Sequence, residues 1–313
     1  MLLRIIDEGA SFRSWRVFMM RRWMRTLPLY LAWLSFLALF WPPRFWEPGH
    51  WRIALHLVPR YLTLTQNLAW PMPSWFGVSW SLTVEEWFYF GFSVVLFAAV
   101  IPFGRRGGYW AACLLFLAVP TVLRWNLPDT TDFPEVPTKV MLFRLDAIAF
   151  GVVMAWLGAR GSVVFRRPWL PLAVGIALVL GIWTSWIDWL VAPYAPHLYR
   201  TVLFSLGSIG FALCIPAALR LRRLPGIAGA LVLALSTQSY AIYVMHLSIL
   251  EMVSYYQATR GFPGWVAIAV SAVLIWGLSW ASWRWFEAPI LARRPRQHVP
   301  RPADATAPAR LTV

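Results

Sequence analysis

Two adjacent glutamates stand in an otherwise apolar run, and they are the side chains here best placed to do chemistry. The run Ser79-Trp80-Ser81-Leu82-Thr83-Val84-Glu85-Glu86-Trp87-Phe88-Tyr89-Phe90 continues into Val94-Val95-Leu96-Phe97-Ala98-Ala99-Val100-Ile101 without another charge. As a membrane helix it would carry two carboxylates into an apolar medium, at several kcal/mol unless they are paired, protonated or face a wet cavity. Carboxylates so placed can accept a proton, bind a cation or hold a hydroxyl. Ser81, Glu85 and Tyr89 fall on one helix stripe, as do Ser239, Tyr243 and His246. With Arg144 and Asp146, these groups predict a polar cavity near the outer ends of three spans. Each also has a structural alternative: an ion pair of one glutamate with Arg144, and a packed interfacial histidine at 246. A second cluster, Arg21, Arg22 and Arg25, precedes Leu27-Pro28-Leu29-Tyr30. Arg22 and Arg25 are i, i+3 neighbours, and their planar donors suit phosphate; the alternative is a topology signal.

The elements that must hold these groups are membrane helices. The chain has 313 residues, 59% hydrophobic and only 13% charged, with a mean hydropathy of +0.59. A soluble domain carries about a quarter charged residues. Apolar blocks approach the roughly 20 residues that a helical span needs, and the alternation of a membrane barrel is absent. The fold class is therefore all-α: a polytopic transmembrane bundle in the lipid bilayer. Eight spans are expected, near 27–41, 81–102, 109–123, 140–158, 169–187, 201–219, 228–249 and 265–284. The piece 51–66, interrupted by Arg52, His56, Pro59 and Arg60, reads as interfacial or re-entrant.

The net charge of +15 sits in short clusters at Arg13–Arg25, Arg105-Arg106, Arg160–Arg167, Arg220–Arg223 and Arg293–Arg301. If the spans alternate, all lie on one side, which predicts both termini in the cytoplasm. No basic stripe with a binding motif accompanies them, so nucleic acid is excluded as a partner. The loops 124–139 and 188–200 hold Asp129, Asp132, Glu135 and Asp188 on the opposite side. Residues 1–292 read as one transmembrane domain, and 293–313 as a disordered Pro/Ala/Arg-rich cytoplasmic tail. Cys113 and Cys214 read as packing residues. His50 and His56, beside Trp46 and Trp51, read as interfacial, and Arg284 with Glu287 as a pair closing the last helix. No metal site or covalent cofactor stands out.

Five segments in order resemble the acyltransferase 3 family of bacterial integral-membrane acyltransferases. Phe18, Arg21-Arg22, Arg25, Pro28 and Tyr30 are similar to its F-x-x-R-R-x-x-R-x-x-P-x-Y entry. The stretch from Ser79 to Tyr89 is similar to its S-W-S-L-x-V-E-E-Q-F-Y signature. Phe143–Ala147, Ser239–His246 and Trp283–Pro289 complete the series. There are two departures. Trp87 stands where the family has Gln, removing a polar group beside the carboxylates. Family members also have about ten spans, the first carrying a histidine thought to be the catalytic base and the second a Ser-Gly-Phe motif. Met1–Gly9 resembles the stretch after that second span, which predicts a natural protein about 5–6 kDa heavier if the start is miscalled.

The resemblance implies acyl transfer, mostly acetyl, from cytoplasmic acyl-CoA to a hydroxyl of a polysaccharide, glycolipid or similar acceptor, at the bacterial inner membrane. It implies Arg21, Arg22 and Arg25 as the inlet for the CoA phosphates. Glu85, Glu86, Arg144, Asp146 and His246 would then shape the acceptor side and its chemistry. Two other readings use the same features: a transporter or flippase for a lipid-linked sugar, and a truncated inactive paralogue or partner subunit.

Overall fold

The computed structural model describes residues 11–40, 57–73, 75–128, 131, 135–186, 195–221 and 226–295. Asp129, Asp132, Asp188, His50, His56, Trp46, Trp51 and residues 296–313 of the expected tail lie outside this set. Among the described residues there is helix and no strand.

α1 (Phe12–Phe40) begins well before the span expected at 27, because the arginine-rich stretch is itself helical. A short helix, α2, covers 57–62. α3 (Ser79–Trp125) is two helices joined at Gly104, whose φ of 66° is open to glycine at little cost. The limbs fold back on each other, so that Phe116 packs against Phe88 and Phe92, ring centroids 5.3 Å apart in each case. After α4 (Glu135–Lys139) and a 3-10 turn at Met141–Phe143 come α5 (Asp146–Ala159), α6 (Val163–Arg166), α7 (Trp169–Trp183) and α8 (Pro196–Ala218). α9 (Gly226–Arg260) and α10 (Gly264–Ala281) follow, then a π turn, Ser282–Glu287, and α11 (Ala288–Ala292).

Among the described residues, five helical stretches are long and apolar enough to cross a membrane: Phe12–Phe40, Ser79–Trp125, His197–Ala218, Gly226–Arg260 and Gly264–Ala292. α5 and α7 are apolar but shorter. The segment expected as a span at 140–158 becomes helical only from Asp146. Its first residues are held otherwise: the amides of Met141 and Leu142 donate to the carbonyls of Asn67 and Leu68. Non-helical backbone within a bundle must find such partners in the protein. The 57–73 segment thus turns inward and buries Tyr61, Gln66 and Asn67 completely; residues 51–56 of the expected 51–66 piece lie outside the described residues.

Two apolar cores result. One joins α1, the 57–78 segment, α9 and α10 around Tyr30, Leu34, Phe76 and Val244. The other joins the start of α1, both limbs of α3 and α5 around Phe18, Phe88, Tyr109 and Ala149. α7 meets α8 at Gly175, where an added Cβ would lie 2.6 Å from the Gly210 carbonyl oxygen. Only glycine permits that approach, a common device where the solvent supplies no hydrophobic drive between helices.

Candidate active site

α1 and the first limb of α3 run antiparallel, and this register builds the site. Trp15 Nε1 donates to Ser93 Oγ at 2.8 Å, Phe18 packs edge-on against Tyr89, Arg22 pairs with Glu85, and Thr26 Oγ1 donates to Glu86 Oε1 at 2.6 Å. From Trp15 to Arg22 each step of about one turn along α1 meets the next turn of α3 in reverse, and Thr26 reaches the same turn of α3 as Arg22 does. Arg22 is held twice: Nη2 donates to Glu85, and its guanidinium carbon lies 3.5 Å from the centre of the Tyr89 ring. Glu85 and Tyr89, i and i+4, therefore clamp one cation between them.

This pairing corrects the expected division into an inner arginine cluster and an outer acid cluster. Arg22 and Glu85 touch, so both belong to one depth. Glu85 lies 19 residues before Gly104, about 28 Å along the helix, and the antiparallel α1 delivers Arg22 to that level.

Glu86 faces differently from its neighbour. The residue is 6% exposed, and while Oε1 takes the Thr26 hydroxyl, Oε2 is shielded from solvent and has no hydrogen-bond partner. Glu86 contributes to the wall of an open cavity of about 260 Å³, otherwise lined by Trp23, Leu27, Leu62, Thr63, Leu64, Trp87 and Phe90. A carboxylate oxygen left without a donor in such surroundings costs free energy that an incoming hydroxyl would recover. Trp87 does not simply delete polarity here. Its indole N–H donates to the Leu64 carbonyl at 2.8 Å, fixing a residue whose φ of 54° is unfavourable for leucine.

Other groups close over this cluster from α9 and the C-terminal end. Tyr240 donates to the Thr26 carbonyl. The π turn carries Glu287 inward to 7% exposure; there it accepts from Ser282 Oγ at 3.0 Å, while Arg284 of the expected pair is exposed. A single widened turn of this kind re-aims a side chain, and such turns recur at functional sites. Arg25 is exposed on α1, and Arg21 Nη1 donates to the Pro295 carbonyl.

Asp146 and Arg144 form a second centre, apart from the glutamates. Asp146 is bound on one side by Arg124, through Nη1 at 3.2 Å and Nη2 at 2.7 Å, and on the other by Ser205 Oγ at 2.6 Å. Arg124 also donates to the carbonyls of Thr201 and Phe143. Both members of this pair are shut off from solvent, so Asp146 lies in a closed network and not in the cavity predicted for it. Arg144 lies over the Phe204 ring, 4.8 Å from its centre, with Nε and Nη1 shielded and unpartnered. It does not pair with either glutamate.

His246 takes a third position. Its Nδ1 lies 2.8 Å from the Tyr243 carbonyl oxygen and 3.1 Å from that of Ile242, contacts that require Nδ1 to carry the proton. The Tyr243 hydroxyl in turn bonds Ser81 Oγ and the Val78 carbonyl. The two predicted stripes thus meet at Tyr243 and Ser81, while Ser239 turns to its own helix and bonds the Ser236 carbonyl. His246 is not among the residues lining the cavity beside Glu86. Thr26, Tyr240, Glu287 and Arg124 were not picked out as site residues from sequence. Thr26 and Glu287 lie inside segments that carried the resemblance; Arg124 falls just past the span expected at 109–123, and its burial in the last turn of α3 comes from packing alone.

A family model for an acyltransferase domain, acyltransferase 3, matches residues 3–284. The chain belongs to the acyltransferase 3 family. No curated protein and no solved structure matches it. In this member of the family the motif segments come together: the entry motif on α1 and the glutamate signature on α3 form one cluster, and the Ser239–His246 and Trp283–Pro289 segments close over it. The Phe143–Ala147 segment anchors α5 to α3 and α8 instead.

Proposed function

We propose that this membrane acyltransferase moves an acyl group from acyl-CoA to a hydroxyl of a carbohydrate or glycolipid, with Glu86 as the proton acceptor. The observation that carries the reading is the unpartnered Glu86 Oε2 beside a cavity, one helical turn from an arginine cluster. Arg21 and Arg25 take the donor's phosphates, and Arg22, fixed by Glu85 and Tyr89, stands between them and the cavity. The acceptor hydroxyl donates to Glu86, which takes its proton as the oxygen attacks the thioester carbonyl. A C–O bond forms, the tetrahedral oxyanion is stabilised by the shielded Nε–H of Arg22, and the C–S bond breaks. The leaving thiolate takes the proton back from Glu86, so the enzyme ends unchanged. The acyltransferase family supports the donor chemistry, and the apolar cavity walls support an acceptor delivered from the membrane as a glycolipid. The bacterial inner membrane, with acyl-CoA on its cytoplasmic side, is the setting this chemistry needs.

The test is acyl transfer from labelled acetyl-CoA in membranes holding the full chain. Glu86→Gln keeps the size and the Thr26 contact but cannot take a proton. Loss of about 10²–10⁴-fold in turnover, with CoA binding retained, is the expected result. A Glu86→Gln variant with normal turnover overturns the assignment. CoA binding to the wild type also separates acyl transfer from lipid-linked sugar transport, which needs no CoA.

A further inference from the structure

Arg294 lies two residues beyond α11, the last helix, and ten beyond the stretch that matches the family. Its Nε and Nη2 are shielded from solvent and have no hydrogen-bond partner among the described residues. Its position is fixed through its neighbours: α11 and the π turn pack on α1, and the carbonyl of Pro295 accepts from Arg21 Nη1 at 2.5 Å. Burial, then Arg25, Arg21 and Arg22, all press its pKa below the usual arginine value, though a guanidinium remains charged across the working pH range. Four cations therefore converge, and within this group Glu85 pairs with Arg22. Like charges at close range repel, and buried donors without acceptors cost free energy. A multiply charged oxyanion removes both costs together.

The face of α1 indicates which part of a donor would lie there. Trp23 and Leu27 line the cavity beside Glu86, whereas Arg21 and Arg25 lie roughly 120–160° away around the helix at 100° per residue. The Arg21–Arg25–Arg294 face is thus turned from the reacting centre, where the end of a long donor remote from its thioester would sit. On the reading that acyl-CoA is the donor, that end carries a phosphomonoester, the 3′-phosphate.

We propose that Arg294, strapped in place by the Arg21–Pro295 bond, forms with Arg25 a binding site for the 3′-phosphate of the CoA donor. Arg294 lies outside the segment shared with the family, and with Arg25 it gives this chain a way to prefer CoA over dephospho-CoA.

The experiment is calorimetric titration of the purified full chain, in lipid nanodiscs, with CoA and with dephospho-CoA. The wild type should bind CoA more tightly than dephospho-CoA. Arg294→Gln should weaken CoA binding about 10–100-fold, the worth of a charge-assisted bond, and leave dephospho-CoA binding unchanged. Unchanged dephospho-CoA binding also shows that the variant is folded. Arg294→Lys should recover part of the CoA affinity. Equal weakening toward both ligands, or no weakening toward either, overturns the assignment of the 3′-phosphate while leaving the donor reading intact. A wild type that binds neither ligand overturns both.

Discussion

The Arg124–Asp146 pair offers a sharp test of which polar groups are structural. The structure makes Asp146 a buried counter-ion: it is 0% exposed and accepts two bonds from Arg124 and one from Ser205. Asp146→Asn keeps the shape and removes the charge. Arg124, itself 2% exposed, is then left as an uncompensated buried cation, a loss of about 3–5 kcal/mol. At 2–4 °C per kcal/mol, the scaling for chains of 150–250 residues, the apparent melting temperature should fall by on the order of 10 °C. The assay is thermal unfolding in detergent, followed by tryptophan fluorescence, with acyl transfer measured below the transition. Removing both charges, as Arg124→Met with Asp146→Leu, should be no worse than the single change, because no isolated charge remains. The carbonyls of Thr201 and Phe143, which lose Arg124 as donor, limit the recovery. An Asp146→Asn variant that melts like the wild type but transfers no acyl group would refute the reasoning and put Asp146 in the chemistry. A double variant whose loss is the sum of the two single losses would show that the pair is not coupled.

Two further outcomes follow from the same contacts. Arg22→Ala removes the cation held by Glu85 and Tyr89 and should abolish acyl transfer while membrane insertion, measured by fractionation, is retained; full activity would remove both the donor inlet and the oxyanion support from Arg22. Trp87→Phe keeps the ring but loses the donor to the Leu64 carbonyl, so stability should fall by about 1 kcal/mol, with faster amide exchange over 62–66; unchanged exchange there would show that the indole bond does not hold the segment.

The fold class and the candidate acids were legible because membranes leave little choice. Apolar blocks in a chain with 13% charged residues must become helices, since only helices satisfy their own backbone within lipid. The break between the spans expected at 81–102 and 109–123 was legible, and the structure turns the chain there, at Gly104. Glu85 and Glu86 stood out because carboxylates in such a run are costly. What the eight expected segments missed were local departures with remote causes. The 140–145 stretch is apolar like a span, but Asn67 and Leu68 take its amides, so helix starts late. The first span was expected only from residue 27, yet the arginine-rich stretch before it continues the same helix and packs against α3 through Phe18, Met19 and the Arg22 clamp.

The sequence by itself determined which residue types would have to be explained, and in which helices they stand. Their partners were decided only in three dimensions. Sequence places Arg144 two positions from Asp146, yet Asp146 turns to Arg124, 22 residues away, because α5 docks on the second limb of α3. It places Arg22 and Glu85 in separate motifs 63 residues apart, and the antiparallel register of α1 and α3 makes them one ion pair. Arg294 belongs to the same cluster through a fold-back that no local pattern announces. Composition and periodicity act along one helix, whereas an ion pair or an orphaned oxygen depends on which neighbour the packing presents.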